Sequence, residues 1–204
     1  MVINKHLHIS IGSLIVIFLF FGCRTDRPLT EGVPVTGYFD SCNIWFDFGK
    51  MITIGDPGNK FMISLPYDWD IREHYTDTLY TIVAANFMSI PIEMNKRMSI
   101  TATGYSTDED SEQYYRKELR QLKKDNSIDV EETGTTLIRG IKCFWLRFVQ
   151  HVGENKAYNL VVYVKETHSN DIYLIQSTVY DPYQYKDKLC LMKPLIESFE
   201  IVKE

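Results

Sequence analysis

The four cysteines, Cys23, Cys42, Cys143 and Cys190, and the three histidines that follow residue 23 are the side chains best suited to chemistry in this 204-residue chain. His74, His151 and His168 stand apart in sequence, with no His-x-x-x-His or Cys-x-x-Cys pair, so no structural zinc or other metal site is expected. Cys143 lies inside an apolar strand-like run and Cys190 between Leu189 and Leu191, and both read as small buried hydrophobes rather than thiolate nucleophiles. Cys42, near the start of the globular part, is expected to be more exposed. A bridge from Cys42 to Cys190 or to Cys143 is compatible with an oxidising compartment, and spacing does not choose between them. No Gly-x-Ser-x-Gly turn offers an activated serine. Gly55-x-x-Gly58-x-Lys60 has the look of half a phosphate loop, yet Lys60 opens a strand rather than a helix, so it reads as a hairpin turn. No catalytic residue and no cofactor are assigned.

Cys23 carries a different chemistry. Lys5 is the only fixed charge before an apolar run from Ile9 to Phe21, and Gly22 precedes the cysteine. The run is shorter than the roughly 20 residues of a membrane span and fits the roughly 7–15 of a secretory core. Phe20-Phe21-Gly22-Cys23 resembles the lipobox of bacterial lipoproteins, with Phe20 where Leu is usual. The resemblance implies cleavage after residue 22, acylation of the Cys23 thiol, and a lipid bilayer as the first partner. Arg24 follows the cysteine where an inner-membrane retention signal would place Asp. The expected location is therefore the bacterial envelope, on the outer membrane facing the periplasm.

Residues 23–37 have prolines and no periodicity, and read as a flexible tether. Residues 38–204 suffice for one globular domain. The net charge of −5 over the whole chain excludes the basic footprint of a nucleic-acid binder. The odd cysteine count left after Cys23 excludes a disulfide scaffold.

The elements that must position these residues are mostly strands. Alternation predicts strands over 44–49, 60–65, 78–87 and 98–105, then antiparallel hairpins over 128–137, 139–151, 157–166 and 171–180. Thr107 to Asp125 reads as a helix capped by Thr107, acidic at its start and basic from Arg116 to Lys124. That basic run could meet an acidic partner or anionic lipid, though a solvated face matched to the helix dipole is the simpler reading. Asp181-Pro182 opens a second helix that Pro194 should interrupt, and residues 198–202 form the last strand. The expected class is α+β, a central antiparallel sheet flanked by helices.

Within that order, Phe61-x-x-x-x-Pro66-x-x-Trp69 resembles the first strand and following turn of the PsbP family. Leu195-Ile196-Glu197-Ser198-Phe199-Glu200-Ile201 is similar to that family's closing helix and strand. The resemblance covers roughly residues 55–204. It implies a PsbP-like α/β/α sandwich, shared with the Ran-binding Mog proteins and DcrB-type envelope proteins. It also implies a binding or assembly role without catalysis, since no family-wide catalytic residue exists to carry over. Tyr67, Trp69, Tyr180, Tyr183 and Tyr185 form the richest contact surface for a protein partner, because Tyr and Trp give large contact area at low entropic cost. The expected function is a membrane-anchored binding or assembly domain acting on another envelope protein. Two alternatives are an immunity lipoprotein that neutralises a toxin and an enzyme whose site has no recognised motif.

Overall fold

Phe61, Ile63 and Leu65 are buried while Met62 and Ser64 are only half-buried, as the period of two demands. This alternation recurs along the chain in a computed structural model. The structure describes residues 41–202 apart from 43, 45, 59, 77–78, 88–91 and 167–168. Residues 1–22, Cys23, the tether and His168 therefore lie outside the described residues, which fall in one compact unit, Val33–Glu204.

The strands are β1 (Met51–Gly55), β2 (Phe61–Pro66), β3 (Asp70–Tyr75), β4 (Leu79–Ala85) and β5 (Met98–Ser106). Helix α1 (Ser111–Leu122) follows, then β6 (Ile128–Ile138), β7 (Ile141–Val152), β8 (Asn155–Val164) and β9 (Asp171–Val179). Two short helices, α2 (Tyr185–Leu191) and α3 (Lys193–Glu197), precede β10 (Glu200–Ile201). Seven strands form one antiparallel sheet in the order β3-β4-β5-β9-β8-β7-β6, and β1-β2-β10 form a second. The second sheet was not expected, and the helical layers are thinner than a full α/β/α sandwich. What holds is an antiparallel α+β fold with few helices.

Both faces of the large sheet are covered by apolar packing. On one, Phe61, Ile63, Leu65 and the helical Leu189, Met192, Leu195 and Ile196 join Trp145, Leu160, Val162 and Ile175 in the main core. On the other, Tyr115 and Leu122 of α1 pack on Phe144, Leu146, Val161 and Tyr163. Trp145 is fully buried and lies across Gly134 on the neighbouring strand, where a Cβ would come within 2.7 Å of the indole. Only glycine leaves room for that ring. Among the described residues no helix is long and apolar enough to cross a membrane.

Several local expectations are corrected. Ile44 and the residues from Phe46 to Phe48 are not in a strand. Asp47 accepts a hydrogen bond from the Gly49 backbone N–H at 2.8 Å, and Gly49 has φ +70°, so an Asx turn bends the chain before β1 begins. Asp110, not Thr107, caps α1, accepting from the N–H groups of Glu112 and Gln113. Asp181 caps a turn through Tyr183 and Gln184, and the helix proper starts at Tyr185. Pro194 sits in the first turn of α3, where its missing N–H costs nothing, and the helix is split there as expected. Strand β3 was missed because Asp70, Arg72, Glu73 and His74 hide its alternation. Cys42 is buried, not exposed, and Cys190 is its disulfide partner rather than a free apolar filler.

Candidate functional site

Strand register decides which loops meet. Asp70 pairs with Ala85, Ala85 with Ser99, and Met98 with Val179, which in turn faces Tyr158. The Pro66–Trp69 turn and the chain from Tyr180 onward therefore share one end of the large sheet. All five aromatic residues singled out above are placed there, in different roles.

Trp69 belongs to the core. It is 8% exposed, its ring meets Phe48 edge-on at 6.1 Å, and its backbone N–H donates to the Pro66 carbonyl at 3.2 Å. Tyr67 is 61% exposed, with the Lys50 ammonium 4.5 Å from its ring centroid. Tyr183 is 92% exposed, and its backbone N–H donates to Asp181 at 2.8 Å. Tyr180 is half-buried and edge-on to Phe87 at 6.0 Å, and Phe87 is itself covered by the Arg97 guanidinium. Tyr185 stacks on Tyr158 with centroids 4.2 Å apart and donates its hydroxyl to Glu131 at 2.8 Å. Ile44, Phe46, Met51 and Met94 add exposed apolar side chains to the same end. Thus Tyr67 and Tyr183 present free contact area, whereas Trp69 and Tyr185 hold the frame beneath them.

Sequence reading missed the polar part of this frame. Arg147, 5% exposed within β7, donates from Nε to Glu131 at 2.9 Å and from Nη2 to Glu132 at 3.0 Å. A bulge between Val130 and Glu132 brings both carboxylates to the one guanidinium. The available signal was a lone Arg in an apolar strand, opposite a Glu-Glu pair on the adjoining hairpin arm. Burial, reinforced by Glu131, pushes the Tyr185 hydroxyl up to about 12, so it stays a donor at neutral pH. Two carboxylates share the one guanidinium, and through Tyr185 the cluster anchors α2 to β6.

Asp181 ties the same end together from the other side, receiving Lys188 Nζ at 2.8 Å. Burial alone would raise its pKa, but Lys188 and the N–H groups of Tyr183 and Gln184 outweigh that and hold it below the ordinary carboxylate range. A depressed native pKa contributes stability in full above the unfolded value of about 3.9, and loses it as pH falls through the native value. Acid unfolding followed by circular dichroism should therefore begin below about pH 4. Asp181→Asn should be less stable at pH 7 and should lose less on acidification. An unchanged acid limb in that variant would contradict the assignment.

The other reactive groups are quiet. Burial pushes the Cys143 thiol up to about 12, so it is not a thiolate. His151 Nε2 is 2.8 Å from Asp129 Oδ2, and the Ser127 hydroxyl donates to Asp125 Oδ1 at 2.7 Å. His74 lies on the exposed strand β3. Among the described residues no group of three or more His, Cys, Asp or Glu could hold a metal ion. A depression of about 200 Å³ between Ile138, Ile141, Val164, Phe199 and Ile201 lies at the opposite end of the sheet. Arg116 pairs with Glu112 inside α1 and Lys117 with Glu109 just ahead of it, so the first two of the five basic residues in the run are matched locally.

This order of strands and helices, with both faces of one antiparallel sheet covered, defines the PsbP/Mog1 fold. The solution structure of cyanobacterial PsbP from Synechocystis sp. PCC 6803 matches with a TM-score of 0.53 at 12% identity, over 74% of this chain and 92% of that one. LpqN of Mycobacterium tuberculosis matches with a TM-score of 0.52 at 12% identity, over 76% and 91%. The Ran-binding protein Mog1p of Saccharomyces cerevisiae matches with a TM-score of 0.51 at 13% identity, over 76% and 96%. These identities speak for fold alone. No family model matches the chain, and no curated protein sequence does.

Proposed function

We propose that this chain is a lipid-anchored envelope protein whose domain holds another envelope protein at the aromatic end of its sheet, without catalysing a reaction. The observation that carries the reading is the gathering of exposed Ile44, Phe46, Met51, Tyr67, Met94 and Tyr183 at one end of a rigid frame. Clustered exposed apolar side chains mark interaction sites, and rigid aromatic anchors lower the entropic cost of binding. The Cys42–Cys190 bridge supports export, because structural disulfides persist in oxidising compartments. Sharing the fold, Mog1p is a Ran-binding protein and LpqN is involved in cell envelope biogenesis, which gives the reading support by analogy.

The anchor is tested by Cys23→Ala. Fractionation and mass spectrometry should show acylation lost and the domain released into the soluble periplasmic fraction. A variant that stays with the membranes and keeps its first 22 residues would show a signal anchor, and the lipoprotein reading would fail.

A further inference from the structure

Arg116 and Lys117 have acids beside them, but the end of α1 does not. Arg120, Lys123 and Lys124 are exposed, and among the described residues their side chains make no ion pair or hydrogen bond. At 3.6 residues per turn the three share an arc of roughly 100°, on the side of the helix away from Tyr115 and Leu122. The nearest acids in sequence are engaged elsewhere. Asp125 accepts from the Ser127 backbone N–H and hydroxyl, and Glu118 is half-buried, its carboxyl acted on by Lys117 and Glu109. The helix dipole favours a cation in the last turn, yet Arg120 and Lys124, at i and i+4, repel each other. The position of this patch is also specific. From Lys124 the chain turns through residues 125–127 into β6, where Ile128 pairs with Gln150; next to it Val149 pairs with Tyr158, which faces Val179. That is the end at which Tyr180 follows β9. It is also the end at which the chain enters β1, the Lys50 carbonyl accepting from the Tyr67 backbone N–H at 2.8 Å.

We propose that this turn of α1 rests on anionic lipid headgroups, with Arg120, Lys123 and Lys124 meeting the phosphates of the membrane that carries Cys23. The inference rests on the lipid anchor proposed above. A flexible tether of the length expected over residues 23–37 has an end-to-end distance of roughly 20 Å, so it keeps the entry end of the domain near the headgroups. At physiological salt charge attraction reaches only about 8 Å, so groups at that end can use it and groups at the far end cannot. The chain as a whole carries a net charge of −5, and an anionic surface therefore repels most orientations of the domain. Cations without an internal partner give an orientation that is attracted instead. Each Lys or Arg near an anionic surface strengthens association about fivefold, so three together exceed a hundredfold. An acidic protein offers the same charge, but the tether holds headgroups at a far higher local concentration. Helices α1 and α2 cover opposite faces of the large sheet, so the lipid contact and Tyr183 do not compete.

Brief lysine acylation read by mass spectrometry tests this, with the full anchored chain on phosphatidylcholine vesicles and on equal mixtures of phosphatidylcholine and phosphatidylglycerol. Lys123 and Lys124 should react about fivefold more slowly on the mixed vesicles. Lys142, exposed at the opposite end where β6 turns into β7, should react equally on both. Salt at about 1 M, where the Debye length is about 3 Å, should abolish the difference. The double variant Arg120→Gln, Lys124→Gln should keep its circular dichroism, and its Lys123 should react nearly as fast on mixed vesicles as on neutral ones. Sedimentation with the neutral vesicles reports the anchor separately: a chain left in the supernatant refutes the anchor and this inference with it. A chain that sediments, but whose Lys123 and Lys124 react equally on both vesicles, overturns the inference and leaves the anchor standing. So does protection that survives the double substitution. Protection seen in intact envelopes but absent on mixed vesicles overturns it too, and assigns the patch to an acidic protein.

Discussion

Trp69→Ala should cost about 3–5 kcal/mol of folding free energy, a large share of the roughly 5–15 a domain possesses. The indole closes the end of the main core, against Phe48 and beneath the turn that Pro66 begins. Its removal leaves a cavity that Phe48, in a stretch without regular structure, cannot fill by moving as a unit. Denaturant unfolding followed by circular dichroism should show a much lower midpoint with an unchanged slope. A variant that melts like the wild type but loses its partner would place Trp69 in the docking surface instead. Tyr183→Ala gives the contrast. That side chain is 92% exposed, so stability should stay within about 0.5 kcal/mol.

Cys42→Ser should be nearly as damaging, at about 2–4 kcal/mol. The bridge closes a loop of 148 residues, so it removes much freedom from the unfolded chain. It also ties the segment bearing Ile44 and Phe46 to α2, and through α2 to Tyr185 and the Glu131–Arg147 cluster. Cys190→Ser should match Cys42→Ser, and the double variant should be no worse than either, since both act on one bond. Thermal unfolding with and without reductant checks this. A wild type whose melting temperature ignores the reductant would contradict it.

Much of the fold was legible because the strands obey simple alternation. Hairpins β6 to β9 and strand β2 lie within a few residues of where periodicity put them. The failures share a cause: tertiary or turn chemistry overriding the local pattern. Ile44, Phe46 and Phe48 alternate perfectly, yet Asp47 and Gly49 make a turn that no count of apolar residues detects. Strand β3 alternates poorly because an edge strand is better for carrying charge. The pairing of Cys42 with Cys190 depends on where α2 docks, which spacing does not encode. At the candidate site the aromatic residues were legible as types, but their division into frame and free surface was not. Tyr185 and Tyr183 look alike in sequence. One is clasped by Tyr158 and Glu131, and the other stands in solvent, because a turn capped by Asp181 rotates them apart.

Site-specific crosslinking in intact envelopes tests the central claim most directly. A photoreactive residue placed at Tyr67 or at Tyr183 in the full-length, anchored chain should capture the same discrete protein. The same probe at Tyr75, exposed at the opposite end of the sheet, should not capture it. Capture from Tyr67 and Tyr183 alone would establish the aromatic end as the docking surface. Equal labelling from all three positions, or adducts with lipid only, would contradict the reading of this domain as a protein-binding module.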